Sequence, residues 1–280
     1  MQEQHTLTEQ QVEHFHIFGF LVRRKLFSAE EILQINDEFD RRLASVLRDA
    51  GPREEHQFNN WTNRRPETPY IASFLEDPRI HVPSEQLLGK DAVPVHSNSN
   101  SYFENSPWHP DATERHLLMV KNVMYLQPTI GECGALRLIP GSHKNPLHDE
   151  LLRIGLNRSD GKESRFLSES GIRGEDIPCY IFCSEPGDMV TFNQRTWHAA
   201  FGGYADRRTC TFNFYSNPKT AEEREDLRGQ VAQYKESRKS LGTVGSQYHP
   251  WWLSNPKESA RRARWIRWLE EWGFIEAGNN

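Results

Sequence analysis

Apolar positions follow a helical period at both ends of the chain and a strand-like period between them. After Ser28 they fall at Ile32, Ile35, Phe39, Leu43, Val46 and Leu47, one stripe of an amphipathic helix laid against something larger. Thr8 with Gln11 and Ser28 with Glu31 have capping-box spacing, in which a hydroxyl and an acidic or amide side chain satisfy each other's terminal amides. Helices are therefore predicted over residues 8–50, with GFLVRRKLF between them as a short strand entering a sheet. Near the other end, Trp265, Trp268, Leu269 and Trp272 share a helical face, read as core packing. Asn255, Pro256 and Glu258 mark the start of that helix and Gly273 its end, giving 255–273.

From 51 to 115 proline and asparagine are frequent and no helical period is visible. VPVHSNSNSYF alternates as a strand with His96, Asn98, Asn100 and Tyr102 on one face. HLLMVKNVMYLQP and GALRLIPGSHK read as further strands. CYIFCSEPGDMVTFNQ is two strands around Pro186-Gly187-Asp188, TWHAAF is strand-like, and RRTCTFNFYSN is another strand. Residues 144–178 are polar, with two or three weak helical segments. About eight short strands without alternating helices argue against a parallel sheet. The expected fold is mainly β with flanking helices: an antiparallel double-stranded β-helix (jelly roll, cupin-like), one domain over 1–280 with its core at 90–216.

Composition narrows the function. The 280 residues carry a net charge of −5, so nucleic acid is not an expected partner. The basic run SARRARWIRW is flanked by Glu258, Glu270 and Glu271 and reads as a solvated helix face. No run of 18 apolar residues is present, so no membrane span is expected. The first residues do not resemble a secretory signal, and Cys133, Cys179, Cys183 and Cys210 do not make a zinc set. Free thiols in a cytoplasmic protein are the expectation.

The candidate chemistry begins at SPWHPDATERH. His-x-Asp/Glu pairs are cheap: composition alone gives roughly 1.7 of them, and the chain has two. His148-Asp149-Glu150 lies at the start of a short, exposed predicted helix, where side chains two apart diverge by about 200°. His109 and Asp111 sit at the entrance to a strand, where i and i+2 point to one face and can converge on an ion. A two-histidine, one-carboxylate site needs one more imidazole, and His198 in TWHAAF is the candidate. Such a site leaves open positions for a keto acid and O₂ on Fe(II). Ten residues on, Arg208 alternates with Cys210, Phe212 and Phe214, the apolar side of its strand. If that side is the barrel interior, a guanidinium is buried near His198, and a bound carboxylate is the economical partner.

The chain resembles the phytanoyl-CoA dioxygenase family of Fe(II)/2-oxoglutarate-dependent oxygenases. LTEQQVEHFHIFGFLVRRKLFSAEEI looks like the family's opening helix, strand and second helix. WHPDA resembles its His-x-Asp segment, MYLQPTIGECGALRLIPGSHK its strand pair ending in Pro-Gly-Ser-His, and PGDMVTFNQRTWHAAFGGYADRR its distal-histidine strand. The resemblance spans roughly residues 7–216. It implies that His109, Asp111 and His198 bind iron and act in catalysis, and that Arg208 binds the distal carboxylate of 2-oxoglutarate. Two positions depart from the pattern: Ala200 stands where many members have serine, and Leu136 where some have threonine. Lys121 and Tyr125 are the further candidates for holding the co-substrate. The carboxylate of Asp111 points to hydroxylating members rather than to halogenases. The implied reaction couples conversion of 2-oxoglutarate and O₂ to succinate and CO₂ with oxidation of an unactivated C–H bond in a small molecule. Asn98, Asn100, Tyr102 and Arg137 are the candidate substrate contacts, with loops at 51–80 and 144–178 as possible lids. Two rivals remain: a cupin-like metal enzyme that uses no keto acid, and a binding protein that has lost catalysis.

Overall fold

A computed structural model describes residues 5–50, 59–63, 67–103, 105–157, 164–203, 206–240, 248 and 250–276. Parts of both proposed lids, 51–58, 64–66 and 158–163, lie outside them. The strands are β1 (Phe20–Arg23), β2 (Asn59–Thr62), β3 (Val93–Tyr102), β4 (Ser106–His109) and β5 (Met119–Tyr125). They continue with β6 (Leu136–Leu138), β7 (Tyr180–Phe182), β8 (Met189–Asn193), β9 (His198–Ala200) and β10 (Arg207–Tyr215). The helices are α1 (Glu9–Phe18), α2 (Ala29–Ala50), α3 (Pro69–Ser73), α4 (Pro78–Leu88) and α5 (Leu147–Arg153). After them come α6 (Arg165–Ser170), α7 (Ala221–Ser240), α8 (Pro250–Ser254) and α9 (Ala260–Trp272). None of the described helices is long and apolar enough to cross a membrane.

The strands make two antiparallel sheets, ordered β1-β8-β5-β10-β3-β2 and β4-β9-β6-β7. Both capping boxes form: Thr8 closes on Gln11, and Ser28 on Glu31. The α2 stripe, with Ile35 and Phe39 fully buried, packs in the largest apolar cluster. That cluster also contains Met124, Met189, Phe212 and Phe214 of the larger sheet and Trp265 of α9. The opposite face of the larger sheet meets the smaller one, Phe20, Val123, Tyr125 and Phe192 packing with Leu136, Leu138 and Phe182. A third cluster, Trp108, Trp197, Ala199 and Phe201 with Leu156 and Leu167, places the described part of 144–178 beneath β4 and β9. The molecule is thus layered: helices, six strands, four strands, then that segment. Burying one apolar face per layer is what forces the stacking.

Three local expectations change. The 51–115 stretch contains α3 and α4: Asp77 caps α4 through the Arg79 amide, with Pro78 at the first position. Pro83 inside α4 obscured it in the sequence. Helix α7 was not read at all, although Thr220 and Glu223 form a third capping box before it. Residues 256–258 form only a 3₁₀ turn, and α9 restarts at Ser259, whose hydroxyl accepts from the Arg262 amide. Gly273 does close α9, in the left-handed conformation.

Candidate metal centre

His109 ends β4 directly opposite His198 of β9, across a register shift that begins after Ser106. Cross-strand neighbours place their side chains on one face, and the two imidazole centroids lie 4.3 Å apart. Asp111 follows two residues later. Its amide and that of Ala112 donate to the Gln194 carbonyl at 2.9 and 3.1 Å, fixing the carboxylate to the turn that leads into His198. Its Oδ1 is 3.6 Å from His198 Nε2 and 3.9 Å from His109 Nε2. The ligand atoms of the three residues all lie within 4.8 Å of one another, the one such cluster among the described residues.

Both imidazoles are held in the tautomer that a metal needs. His109 Nδ1 lies 2.7 Å from the Pro107 carbonyl, and His198 Nδ1 2.9 Å from that of Thr196. A carbonyl can only accept, so each Nδ1 carries a proton and each Nε2 is the nitrogen left to face the cluster. Burial pushes His198 down to about 3 against the pull of Asp111, so it is neutral at physiological pH. Burial acts to raise the Asp111 carboxyl, but Lys121, His198 and His109 outweigh it and hold it well below the usual carboxylate range. The donor set therefore fits a divalent transition metal, with a neutral His198, the Nε2 of His109 and the charged carboxylate that coordination requires.

The cluster opens into a cavity of about 440 Å³ between the sheets. Among the predicted residues, Lys121, Tyr125, Asn100 and Tyr102 line it, and so do Ala200 and Leu136. Lys121 Nζ is 3.0 Å from Asp111 Oδ2. Asn98 belongs to the same face of β3 as Asn100 but is not part of the lining. Arg137 is on the wrong face to be a substrate contact. Its neighbour Leu136 takes the cavity side of β6, and Arg137 donates outward to the carbonyls of Glu175 and Gly131 at 3.2 and 2.9 Å.

Arg208 is also on the wrong face. Its guanidinium pairs with Asp40 of α2 at 2.7 Å and with Asp206 at 3.3 Å. The apolar side of β10 faces the helices, whereas its polar side, Arg207, Thr209 and Thr211, faces the cavity. The buried guanidinium in the lining is that of Arg207, 6% exposed. It lies 4.7 Å over the Tyr102 ring, and its charge works against the burial that raises the Tyr125 hydroxyl. Gly134 makes room for it: a Cβ there would stand 2.3 Å from Arg207 Cδ. The polar alternation Arg207-Thr209-Thr211 was visible in the sequence, and so was the glycine. Thr209, Thr211 and Phe192 are further lining residues that the sequence reading passed over.

Nor does the described part of 144–178 cover the cavity. Trp108 Nε1 donates to the Gly174 carbonyl at 2.9 Å, and Gly174 fits against the Phe201 ring, pinning the segment to the far face of the smaller sheet. His148 lies in α5 as expected but is fully buried, its Nδ1 3.1 Å from the Ser142 and Arg195 carbonyls, and plays no part in the cluster.

A double-stranded β-helix with two histidines and one carboxylate at its cavity is the arrangement of non-haem iron oxygenases. The chain belongs to the phytanoyl-CoA dioxygenase (PhyH) family, whose model matches residues 15–209. No curated protein matches the sequence. Among solved structures it is similar to HygX from Streptomyces hygroscopicus with nickel and 2-oxoglutarate bound: 21% identity, 77% of this chain and 89% of that one, TM-score 0.58. It is similar also to EvdO2 from Micromonospora carbonacea var. aurantiaca complexed with 2-oxoglutarate (18%, 77% and 94%, 0.54). A third is SnoN, a non-heme alpha ketoglutarate dependent epimerase from nogalamycin biosynthesis (17%, 75% and 82%, 0.54). These similarities establish the fold.

Proposed function

We propose that the protein is an Fe(II)- and 2-oxoglutarate-dependent oxygenase that hydroxylates a C–H bond of a small molecule, consuming O₂ and releasing succinate and CO₂. The observation that carries this reading is the convergence of His109, Asp111 and His198 on a cavity that also contains the buried Arg207. Iron held by the triad would supply O₂ activation and keto-acid decarboxylation. The rest falls to the chain. Arg207 offers a paired hydrogen-bond fork for the distal carboxylate of 2-oxoglutarate, and Tyr125 lines the cavity beside it. With Ala200 in the serine position of many relatives, this arginine takes the larger share of the grip. Val123, Leu136 and Phe192 keep the centre dry, while Asn100, Tyr102 and Thr209 face the substrate space. HygX and EvdO2 were solved with 2-oxoglutarate bound, which supports the same co-substrate here. SnoN is an epimerase dependent on the same co-substrate, so product analysis, not succinate release alone, tests hydroxylation.

The test is anaerobic titration of the Fe(II)-loaded protein with 2-oxoglutarate. A weak visible absorption band should appear in the wild type and be lost in His198→Ala. Iron binding without that band would turn the assignment toward a metal enzyme that uses no keto acid.

A further inference from the structure

Asp111 divides its two oxygens. Oδ1 faces the Nε2 atoms of both histidines, and Oδ2 faces Lys121 Nζ at 3.0 Å. Both ends of this pair are held by backbone. Lys121 lies within β5, opposite Asn213 of β10 on one side and Phe192 of β8 on the other. Its ammonium stands 5.9 Å from the Phe192 ring centroid, and that ring lies 4.8 Å from His198. Asp111 is tied through its amide to Gln194. The side chains of the pair are only 24% and 21% exposed, so water competes weakly for either charge.

We propose that Lys121 is a positioning residue that reserves Oδ2 and so keeps Asp111 a one-oxygen metal ligand. The inference rests on reading the triad as the metal site. A carboxylate can offer a metal one oxygen or both. Using both would fill a coordination position that the keto acid and O₂ require, and it would first have to break the ammonium–carboxylate bond. Lys121 also places a positive charge beside the cation site. Its two effects therefore have opposite signs: it lowers metal affinity and preserves co-substrate affinity. A residue needed only for packing would not separate them.

Mn(II) is the probe, because the relaxation of water protons counts the waters on the bound ion without any turnover. The wild type without 2-oxoglutarate should hold about three inner waters and Lys121→Met about two. In Lys121→Met, Mn(II) should bind about fivefold tighter, whereas 2-oxoglutarate should bind the Mn(II)-loaded protein about tenfold more weakly. Lys121→Arg, which keeps a charged donor, should return all three quantities toward wild type. An unchanged water count in Lys121→Met, or a loss of metal and 2-oxoglutarate affinity together, would overturn the proposal while leaving the metal site intact. If wild type and His198→Ala bind Mn(II) equally, the triad reading fails and this inference fails with it.

Discussion

Arg207 and Arg208 are adjacent, identical in type and opposite in direction, because a strand turns successive side chains to opposite faces. Arg207 reaches the cavity, and Arg208 crosses to α2 and Asp40. Removing a buried, bidentate cation from a carboxylate site costs about 2–5 kcal/mol. Arg207→Ala should therefore weaken 2-oxoglutarate binding by about two orders of magnitude in the anaerobic titration. Arg208→Ala removes a partly exposed ion pair, worth about 0–1 kcal/mol, and should leave that affinity within about twofold. The reverse result would restore the register inferred from the sequence. At this scale the grouping of His109, Asp111 and His198 was legible, but not its cause. The sequence reads His109 and Asp111 at the entrance to a strand, whereas His109 ends β4 and Asp111 lies beyond it, held through its amide to Gln194. Which arginine faces the cavity was not legible. Apolar residues mark a buried face, but this sheet is buried on both faces, by helices on one side and by the smaller sheet and cavity on the other.

Elements were legible where their signals are local. Capping boxes announced α1 and α2, alternation announced β3 and β10, and apolar runs between turns announced β5 to β9, whereas β4 was not read as a strand. Helix α4 was hidden by its internal Pro83, and the start of α9 moved because Asn255-Pro256 looks like a cap yet closes only one 3₁₀ turn. The 144–178 segment shows what local signals omit: it reads as polar with weak helices and as a possible lid, whereas its described part packs on the smaller sheet. In the structure Arg137 fastens it through the Glu175 carbonyl and holds the loop before β6 through that of Gly131, each hydrogen bond from a charged donor worth about 1.5–3 kcal/mol. Arg137→Ala should lower the melting temperature while 2-oxoglutarate affinity stays unchanged. A selective loss of that affinity with no loss of stability would instead place Arg137 in the cavity.

For the whole molecule, burial of imidazoles makes stability depend on pH. Burial lowers His198 from its ordinary 6.5 to about 3. It likewise lowers His143 to about 4, although the His16 carbonyl works against it. Between pH 6.5 and about 4 the unfolded chain binds protons at these positions and the folded chain does not, so stability rises with pH across that window. Acidification should destabilise the metal-free protein by at most about 1.4 kcal/mol per pH unit for each histidine. Urea unfolding at pH 7 and pH 4.5 measures this, and equal midpoints would contradict it. By itself the sequence determined the strand-rich centre between helical ends and the His-x-Asp plus distal His pattern, because periodicity and i, i+2 geometry act over a few residues. Only the tertiary structure decided which face of β10 meets the cavity, where Arg137 and the 144–178 segment go, and which oxygen of Asp111 Lys121 takes. Those depend on which layer covers which sheet face, a matter of packing between residues up to a hundred or more positions apart.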